Sequence, residues 1–214
     1  MYVVIRRTKL SGSVEEAVRR ARDHIVPLVQ GRPGFRGYCA FITEQGDAAY
    51  SVSVFDDRDT AMEAHGRVRQ WIEANMRDLM PEEPEVVAGE TVFHEVAQPR
   101  EQTKDRQQPL FVVVRSYEGI TGQTETMHSA VSEHALPLIT GAPGFRGFYA
   151  FRGFYAFCDE ADPNRAVSVT LFDTREDAMR SHEQVVGVMR ERLGEMAYRP
   201  PRVAMGETMV LATA

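Results

Sequence analysis

Apolar and polar residues follow strand-like and helix-like periods in a fixed order through the first hundred residues. Residues 2–8 alternate and are rich in valine and isoleucine, which is typical of a strand. Ser13 and Glu16 have the spacing of a capping box that begins a helix, and Gly31 is suited to end it. The pattern predicts a strand at 2–8, a helix from 13 to about 30, strands at 35–43 and 48–55, a helix at about 58–79 and a strand at 85–95.

The same pattern recurs in the second half of the chain. The segment HIVPLVQGRPGFRGYCAF at 24–41 matches HALPLITGAPGFRGFYAF at 134–151, and SVSVFDDRDTAMEAH at 51–65 matches SVTLFDTREDAMRSH at 168–182. Self-similarity of this kind indicates a tandem duplication. We assign repeat 1 to residues 1–96, a polar linker to 97–109 and repeat 2 to 110–214.

Repeat 2 contains a perfect local duplication of six residues. RGFYAF occurs at 146–151 and again at 152–157, where repeat 1 has the single RGYCAF at 36–41. Replication slippage is the simplest explanation, and engineering or a selected function are the alternatives. Because six is even, side chains keep their faces and two registers compete for one place in the sheet. We expect the second copy, which leads directly into a turn at 162–164, to lie in the sheet.

The order βαββαβ predicts an α+β fold made of two ferredoxin-like repeats. Right-handed crossovers place both helices of a repeat on one face of its four-stranded antiparallel sheet and leave the other face apolar. Phe35, Tyr38, Ala40 and Phe41 leave no polar face on the second strand. We therefore expect the two repeats to pack sheet to sheet as an intramolecular pseudo-dimer, which could assemble further into a homo-oligomer.

Composition and charge narrow the classes of partner. The 214 residues include 25 basic and 31 acidic side chains, for a net charge of −6, which argues against nucleic acid or an anionic membrane surface. No apolar run is long enough to span a bilayer, and the N-terminal charges follow a short apolar run, the reverse of a secretory signal. Cys39 and Cys158 cannot form a disulfide framework or a four-thiolate zinc site. We expect a cytoplasmic protein.

Four of the six histidines occur as matched pairs on predicted helices, His24 with His134 and His65 with His182. Helical spacing puts each in a stripe that should face the sheet, and the topology brings the two histidines of a repeat toward the same rim. His65 and His182 are the candidate catalytic acid–base residues, and His24 and His134 are candidates for positioning substrate. The alternative is structural histidines bonded to each other, to backbone or to water. No third metal ligand is evident, so we expect no metal.

Arg6 and Arg115 are matched residues of the first strand in each repeat. A buried arginine needs an anion. That anion could be an anionic or enolate substrate, or a structural carboxylate such as Glu90 or Glu207 on the neighbouring strand. Trp71 has no aromatic counterpart in repeat 2 and is a candidate aromatic wall for a site in repeat 1 alone.

Several of these motifs resemble antibiotic-biosynthesis-monooxygenase-like (ABM-like) domains of the dimeric α/β-barrel superfamily. The resemblance rests on three features: Pro-Gly-Phe-Arg-Gly before the second strand, a strand ending in Phe-Asp, and a helix with Ala61-Met62-x-x-His65 or Ala178-Met179-x-x-His182. The resemblance covers both repeats. It implies an intramolecular version of the usual homodimer, with a cavity between sheet and helices in each half. Two departures are Phe55 and Phe172, which replace a tryptophan common in the family.

The resemblance also frames the functional hypotheses, although a shared fold does not select a reaction. It implies a small-molecule-binding protein, with a cofactor-independent monooxygenase or isomerase acting on an aromatic or enolisable substrate as one form of that function. The expected ligand is small and apolar or aromatic, and no cofactor is expected. The alternative is a non-catalytic binding or stress-related barrel with structural histidines. A third hypothesis is haem binding through one histidine.

Overall fold

Eight strands and the helices between them make up the computed structural model, which describes residues 1–96, 109–119, 124–145, 153–158, 162, 164–193 and 200–214. Repeat 1 contains β1 (Tyr2–Thr8), α1 (Val14–Arg20), a π-helical turn (Ala21–Ile25), α2 (Val26–Gln30), β2 (Phe35–Ile42), β3 (Ala49–Phe55), α3 (Arg58–Asn75) and β4 (Glu85–Val96). Repeat 2 contains β5 (Phe111–Glu118), α4 (Thr124–Ala130), a π-helical turn (Val131–Ala135), α5 (Leu136–Gly141), β6 (Gly153–Cys158), β7 (Arg165–Phe172), α6 (Arg175–Leu193) and β8 (Arg202–Thr213).

All eight strands pair antiparallel in one closed barrel, in the order β1-β3-β2-β8-β5-β7-β6-β4. Within repeat 1 the order is β4-β1-β3-β2, and within repeat 2 it is β8-β5-β7-β6, which is the ferredoxin-like arrangement twice. The repeats join at two seams, where β2 pairs with β8 and β4 pairs with β6. Closure pairs the strand edges of each repeat with the other. The predicted intramolecular dimeric α/β barrel is confirmed.

The apolar side chains form three separate clusters, one inside the barrel and one under the helices of each repeat. The barrel interior is filled by buried residues of both repeats, among them Val3, Cys39, Val54, Val112 and Val169. The cluster of repeat 1 packs α1, α2 and α3 against the outer face of its sheet, and the cluster of repeat 2 does the same with its own helices. Both faces of the strands are therefore buried, which explains why the second strand of repeat 1 has no polar face.

Helix caps and turns position these elements. Ser13 Oγ accepts a hydrogen bond from the Glu16 backbone N–H at 3.2 Å, and Asp57 Oδ1 accepts one from Thr60 at 2.9 Å. Gly34 and Gly144 follow proline at positive φ, +67° and +76°, as a turn with glycine at its third position requires. The second helix ends at Asn75, not near 79 as predicted, because the chain turns there. No helix in the described ranges has the length and apolar character that crossing a membrane requires.

The second copy of RGFYAF supplies the sheet strand of repeat 2, as expected. Strand β6 pairs with β7 on one side and with β4 on the other. Phe154 lies opposite Thr170 in this register, as Tyr38 lies opposite Ser53 in repeat 1. The first copy, at 146–151, lies outside the described residues, so its predicted displacement stays a prediction.

Candidate functional site

Arg6 is a cation buried between the sheet and the helices of repeat 1. It lies on β1 and is 4% exposed. Its Nε donates to Nδ1 of His65 at 3.0 Å, and its Nη1 donates to Ser53 Oγ at 3.2 Å. Its Nη2 is buried and has no hydrogen-bond partner. Both partners are neutral side chains, and among the described residues no carboxylate forms an ion pair with Arg6.

The carboxylate partner suggested for this arginine is not Glu90. In the β1–β4 register Arg6 lies opposite Val86, whereas Glu90 lies opposite Tyr2, four residues along the strand, where it is exposed. The sequence predicts that Glu90 lies on the strand next to Arg6, but the strand register decides which residue lies opposite the Arg6 guanidinium. Burial lowers the pKa of Arg6 to about 10, so the guanidinium stays charged at neutral pH.

His65 lies on α3, half-buried, and acts as the acceptor for Arg6. A guanidinium can only donate hydrogen bonds, so Nδ1 must be the acceptor in this contact, and the proton of the neutral imidazole lies on Nε2. Burial lowers the pKa of His65 to about 4, with the charges of Arg6 and Arg69 acting in the same direction. The ring is therefore neutral at physiological pH. In this state His65 is an acceptor at Nδ1 and a donor at Nε2.

Repeat 2 builds the same pair from the matched residues. Arg115 is 1% exposed, and its Nε donates to Nδ1 of His182 at 3.0 Å while its Nη1 donates to Thr170 Oγ1 at 2.9 Å. Burial lowers the pKa of His182 to about 4, and the charge of Arg115 adds to this. Glu207 lies opposite Phe111, again four residues along the strand from the arginine. The sequence identified all four members of the two pairs, but not their contacts.

A cavity of about 80 Å³ lies between the sheet of repeat 1 and its helices. Its polar wall contains Arg6, Thr8, Tyr38 and Ser51. The rest of the wall is largely apolar and includes Leu10, Ala17, Ala21, Ile25, Ile72, Met76, Met80 and Val210. His65 does not line this cavity, whereas Arg6, which donates to it through Nε, does. The site therefore presents Arg6 to a ligand and keeps His65 behind it.

Tyr38 contributes a second polar group to the cavity wall and was missed in the sequence as a candidate. Its side chain is 2% exposed, and its hydroxyl shares a hydrogen bond with Ser51. Burial raises the pKa of Tyr38 to about 12, although the nearby charge of Arg6 acts against this. The phenol is therefore protonated and can donate. Its position in β2, in an otherwise apolar strand, was the signal that could have identified it.

His24 does not face the sheet, and that expectation is wrong. The buried residues of the first helix are Ala17, Ala21, Ile25 and Val29, four apart, because the π-helical turn adds a residue to one turn and brings Ile25 inward. His24 is exposed, and its ring stacks on Trp71 with centroids 4.9 Å apart. Neither of these two residues lines the cavity.

His134 follows the same pattern in repeat 2. The π-helical turn there buries Ala135, and the His134 side chain remains 30% exposed, 3.9 Å from Glu133. The predicted convergence of two histidines within a repeat is therefore replaced by an arginine–histidine pair. Among the described residues, no three His, Cys, Asp or Glu side chains lie close enough to hold a metal ion.

A further depression, of about 380 Å³, opens at one end of the barrel interior. Apolar residues of both repeats form much of its wall, together with Arg7, Arg202 and an ion pair between Arg165 and Glu85 with an N–O distance of 2.9 Å. Because Glu85 belongs to β4 and Arg165 to β7, this ion pair joins the two repeats. We interpret it as a structural contact.

The fold is shared with solved structures, although no family model and no curated protein matches the chain. A "putative monooxygenase" from Fusobacterium nucleatum superposes with a TM-score of 0.77 at 10% identity, over 99% of this chain and 94% of that one. A "putative monooxygenase" from Lactobacillus acidophilus gives 0.71 at 13% identity, over 99% and 95%. An anthrone oxidase-like protein gives 0.59 at 9% identity, over 99% and 93%. At such identities the similarity shows that the chain shares the fold of these proteins.

Proposed function

We propose that the protein binds a small molecule in the cavity of repeat 1 and acts on it as a cofactor-independent monooxygenase or isomerase of an aromatic or enolisable substrate. The observation that carries this proposal is Arg6, a buried cation with neutral partners and an unpartnered Nη2 at the wall of an apolar cavity. An uncompensated buried charge is costly to keep, which is expected where it stabilises charge that develops on a ligand. The names of the solved neighbours agree with this class of reaction.

Both reactions begin with transfer of a proton from a C–H beside a carbonyl, or from a phenol O–H, to a base, which leaves an electron-rich oxyanion. Glu82, the carboxylate on the cavity wall, would accept that proton. Arg6 Nη2 would hold that oxygen, and the low polarity of the wall would strengthen the interaction. In an isomerase the proton returns to a different carbon. In an oxygenase a CH2 group and O2 give a carbonyl and water. The substrate-binding role predicted for Arg115 in repeat 2 stays a prediction.

The acid–base role predicted for His65 and His182 is proposed in a narrower form. An imidazole whose Nδ1 already accepts a hydrogen bond can donate from Nε2, but it cannot take up a proton until the Nδ1 bond breaks. Each histidine would therefore fix the direction of its arginine and offer a donor at Nε2. The substrate-positioning role predicted for His24 and Trp71 finds no support in the lining of the cavity.

The second candidate is a binding protein without catalysis. The engaged Nδ1 atoms of His65 and His182 favour it, because neither histidine is free to act as a base. The volume of the cavity limits both candidates to small ligands, because about 80 Å³ is roughly half of the ~150 Å³ that accepts benzene in an engineered protein cavity. A substrate larger than this would require movement of flexible wall residues such as Met76 and Met80. Haem binding is disfavoured by the same volume. It is also disfavoured because Nδ1 of His65 and of His182 accepts a hydrogen bond from arginine, which leaves the proton on Nε2 and no free nitrogen to bind iron. The net charge of −6 supports the proposal of a cytoplasmic protein without a nucleic-acid partner.

Deuterium exchange distinguishes the two candidates because it needs only the first chemical step. Enolisable ketones and phenols would be incubated with the protein in D2O, exchange beside the carbonyl followed by NMR, and O2 uptake recorded in parallel. We expect exchange to fall about 100-fold or more in Arg6→Met, as for loss of an oxyanion donor. The matched control is Arg36→Met, which removes an exposed arginine paired with Asp56. Wild-type exchange at the buffer rate would contradict catalysis, and full exchange in Arg6→Met would contradict the role of Arg6.

A further inference from the structure

The polar atoms that reach the cavity of repeat 1 are donors that lack acceptors. Arg6 Nη2 and Thr8 Oγ1 are both buried without a hydrogen-bond partner. Tyr38 and Ser51 have two hydroxyl groups that share one hydrogen bond, so one O–H remains to be donated. The carboxylate on the wall, Glu82, is exposed and lies 4.0 Å from Lys9. The wall of the cavity therefore offers a positive charge and hydroxyl donors, which an oxygen-rich anion would satisfy.

The two repeats differ at the phenol. Phe154 occupies in β6 the register position that Tyr38 occupies in β2, since these residues lie opposite Thr170 and Ser53 respectively. Repeat 2 keeps the arginine and the histidine but has no hydroxyl at this position. Thr8 also differs, since Tyr117 occupies its register position in repeat 2, but that residue keeps a hydroxyl. Position 38 is therefore the member of the donor set that loses its hydroxyl in repeat 2.

We infer that the cavity of repeat 1 recognises a monoanionic oxygen ligand with a short apolar body, of the carboxylate or enolate class, and that Tyr38 confines this recognition to repeat 1. The inference rests on the proposed function in taking this cavity as the ligand site. One guanidinium matches one negative charge, and the phenol and threonine hydroxyls donate to the remaining lone pairs of the same oxygen group. The apolar body lies against Ile25, Ile72 and Met76, toward the helices.

Short carboxylates and their neutral amides test the charge requirement directly. Acetate and isobutyrate would be titrated against acetamide and isobutyramide, with binding followed by NMR of the labelled full-length protein. We expect each carboxylate to bind at least tenfold more tightly than its amide and to perturb signals of repeat 1. Equal affinity of acid and amide, perturbation of repeat 2 instead, or no binding of any carboxylate would each overturn the inference.

Conservative variants test the role of the Tyr38 hydroxyl. Tyr38→Phe removes only the hydroxyl and makes the position like that of repeat 2, so we expect carboxylate affinity to fall about tenfold or more while the fold is unchanged. Tyr117→Phe is the matched control, because it removes the hydroxyl of a tyrosine on β5 that does not line this cavity. Wild-type affinity in Tyr38→Phe would overturn the role of Tyr38. Carboxylate binding without deuterium exchange would refute only the proposed catalysis, whereas exchange of neutral ketones without carboxylate binding would refute only the present inference.

Discussion

Replacing Arg6 by methionine should stabilise the protein, although it removes two buried hydrogen bonds. Burial lowers the pKa of Arg6 from 12.5 to about 10, which corresponds to about 3 kcal/mol of unfavourable free energy for the charged form. The hydrogen bonds to His65 and Ser53 return about 1 kcal/mol each. Methionine fills much of the same space without a charge. We therefore expect the free energy of unfolding to rise by about 1 kcal/mol in Arg6→Met.

The partners left behind do not reverse this sign. Ser53 Oγ also lies 3.4 Å from the Val4 carbonyl and can keep that hydrogen bond, and half-buried His65 can bond to water. For a protein of this size, 1 kcal/mol corresponds to a rise of about 2–4 °C in Tm.

Urea unfolding and thermal unfolding of the full chain measure this change. The control is Arg36→Met, whose exposed pair with Asp56 should contribute about 0–1 kcal/mol in the opposite direction. An arginine retained for the fold would behave differently, because removing one partner of a buried polar pair typically costs about 3–5 kcal/mol. A loss of more than 2 kcal/mol in Arg6→Met would refute the argument that this cation is held for a ligand.

Three further outcomes follow from the structure. His65 and His182 bind protons near pH 6.5 in the unfolded chain but only near pH 4 in the folded one, so the free energy of unfolding should fall as pH drops from 7 to 4. We expect a fall of about 1 kcal/mol for each half-exposed ring after solvent screening. Urea unfolding of the His65→Gln, His182→Gln double variant should show a smaller fall. Gly206→Ala should cost about 2–3 kcal/mol in urea unfolding, since a Cβ there would lie 2.1 Å from a backbone oxygen of β2, whereas Gly66→Ala in an open stretch of α3 should not destabilise. Cys39 should resist thiol reagents until the protein unfolds, because it is fully buried and burial raises its thiol pKa; this can be followed in a chain whose second cysteine is serine, and rapid labelling of the folded protein would contradict it.

Much of the fold follows from local signals that the sequence displays twice. The cap at Ser13, the stop at Gly31 and the positive-φ glycine of each Pro-Gly turn fix where elements begin and end, and the structure keeps all of them. The closed barrel follows from the burial of both faces of each sheet. The end of α3 did not follow, because Met76 leaves the helix to bury its side chain, and such a tertiary contact has no local signal.

The site was harder to predict because it depends on helix geometry and strand register. The predicted sheet-facing stripe of the first helix assumes a regular α-helix. The π-helical turn before Pro27 instead spaces the buried residues four apart throughout, and this turns His24 outward. His65 lies on a regular helix, and its predicted sheet-facing position is where it meets Arg6. The partner of Arg6 is a histidine and not a carboxylate, because register sets Glu90 four residues away.

The duplication itself bears on why the buried cation persists. In a homodimer, every change in the site would appear in both halves, but a fused chain can change one half alone. The phenol has done so, since tyrosine stands at 38 and phenylalanine at 154, whereas both repeats retain a buried arginine bonded through Nε to a histidine Nδ1. Each repeat had an independent opportunity to lose this contact, and both retain it. We therefore propose that the arginine–histidine pair serves a purpose common to both repeats, and that the phenol adds a specificity that belongs to repeat 1.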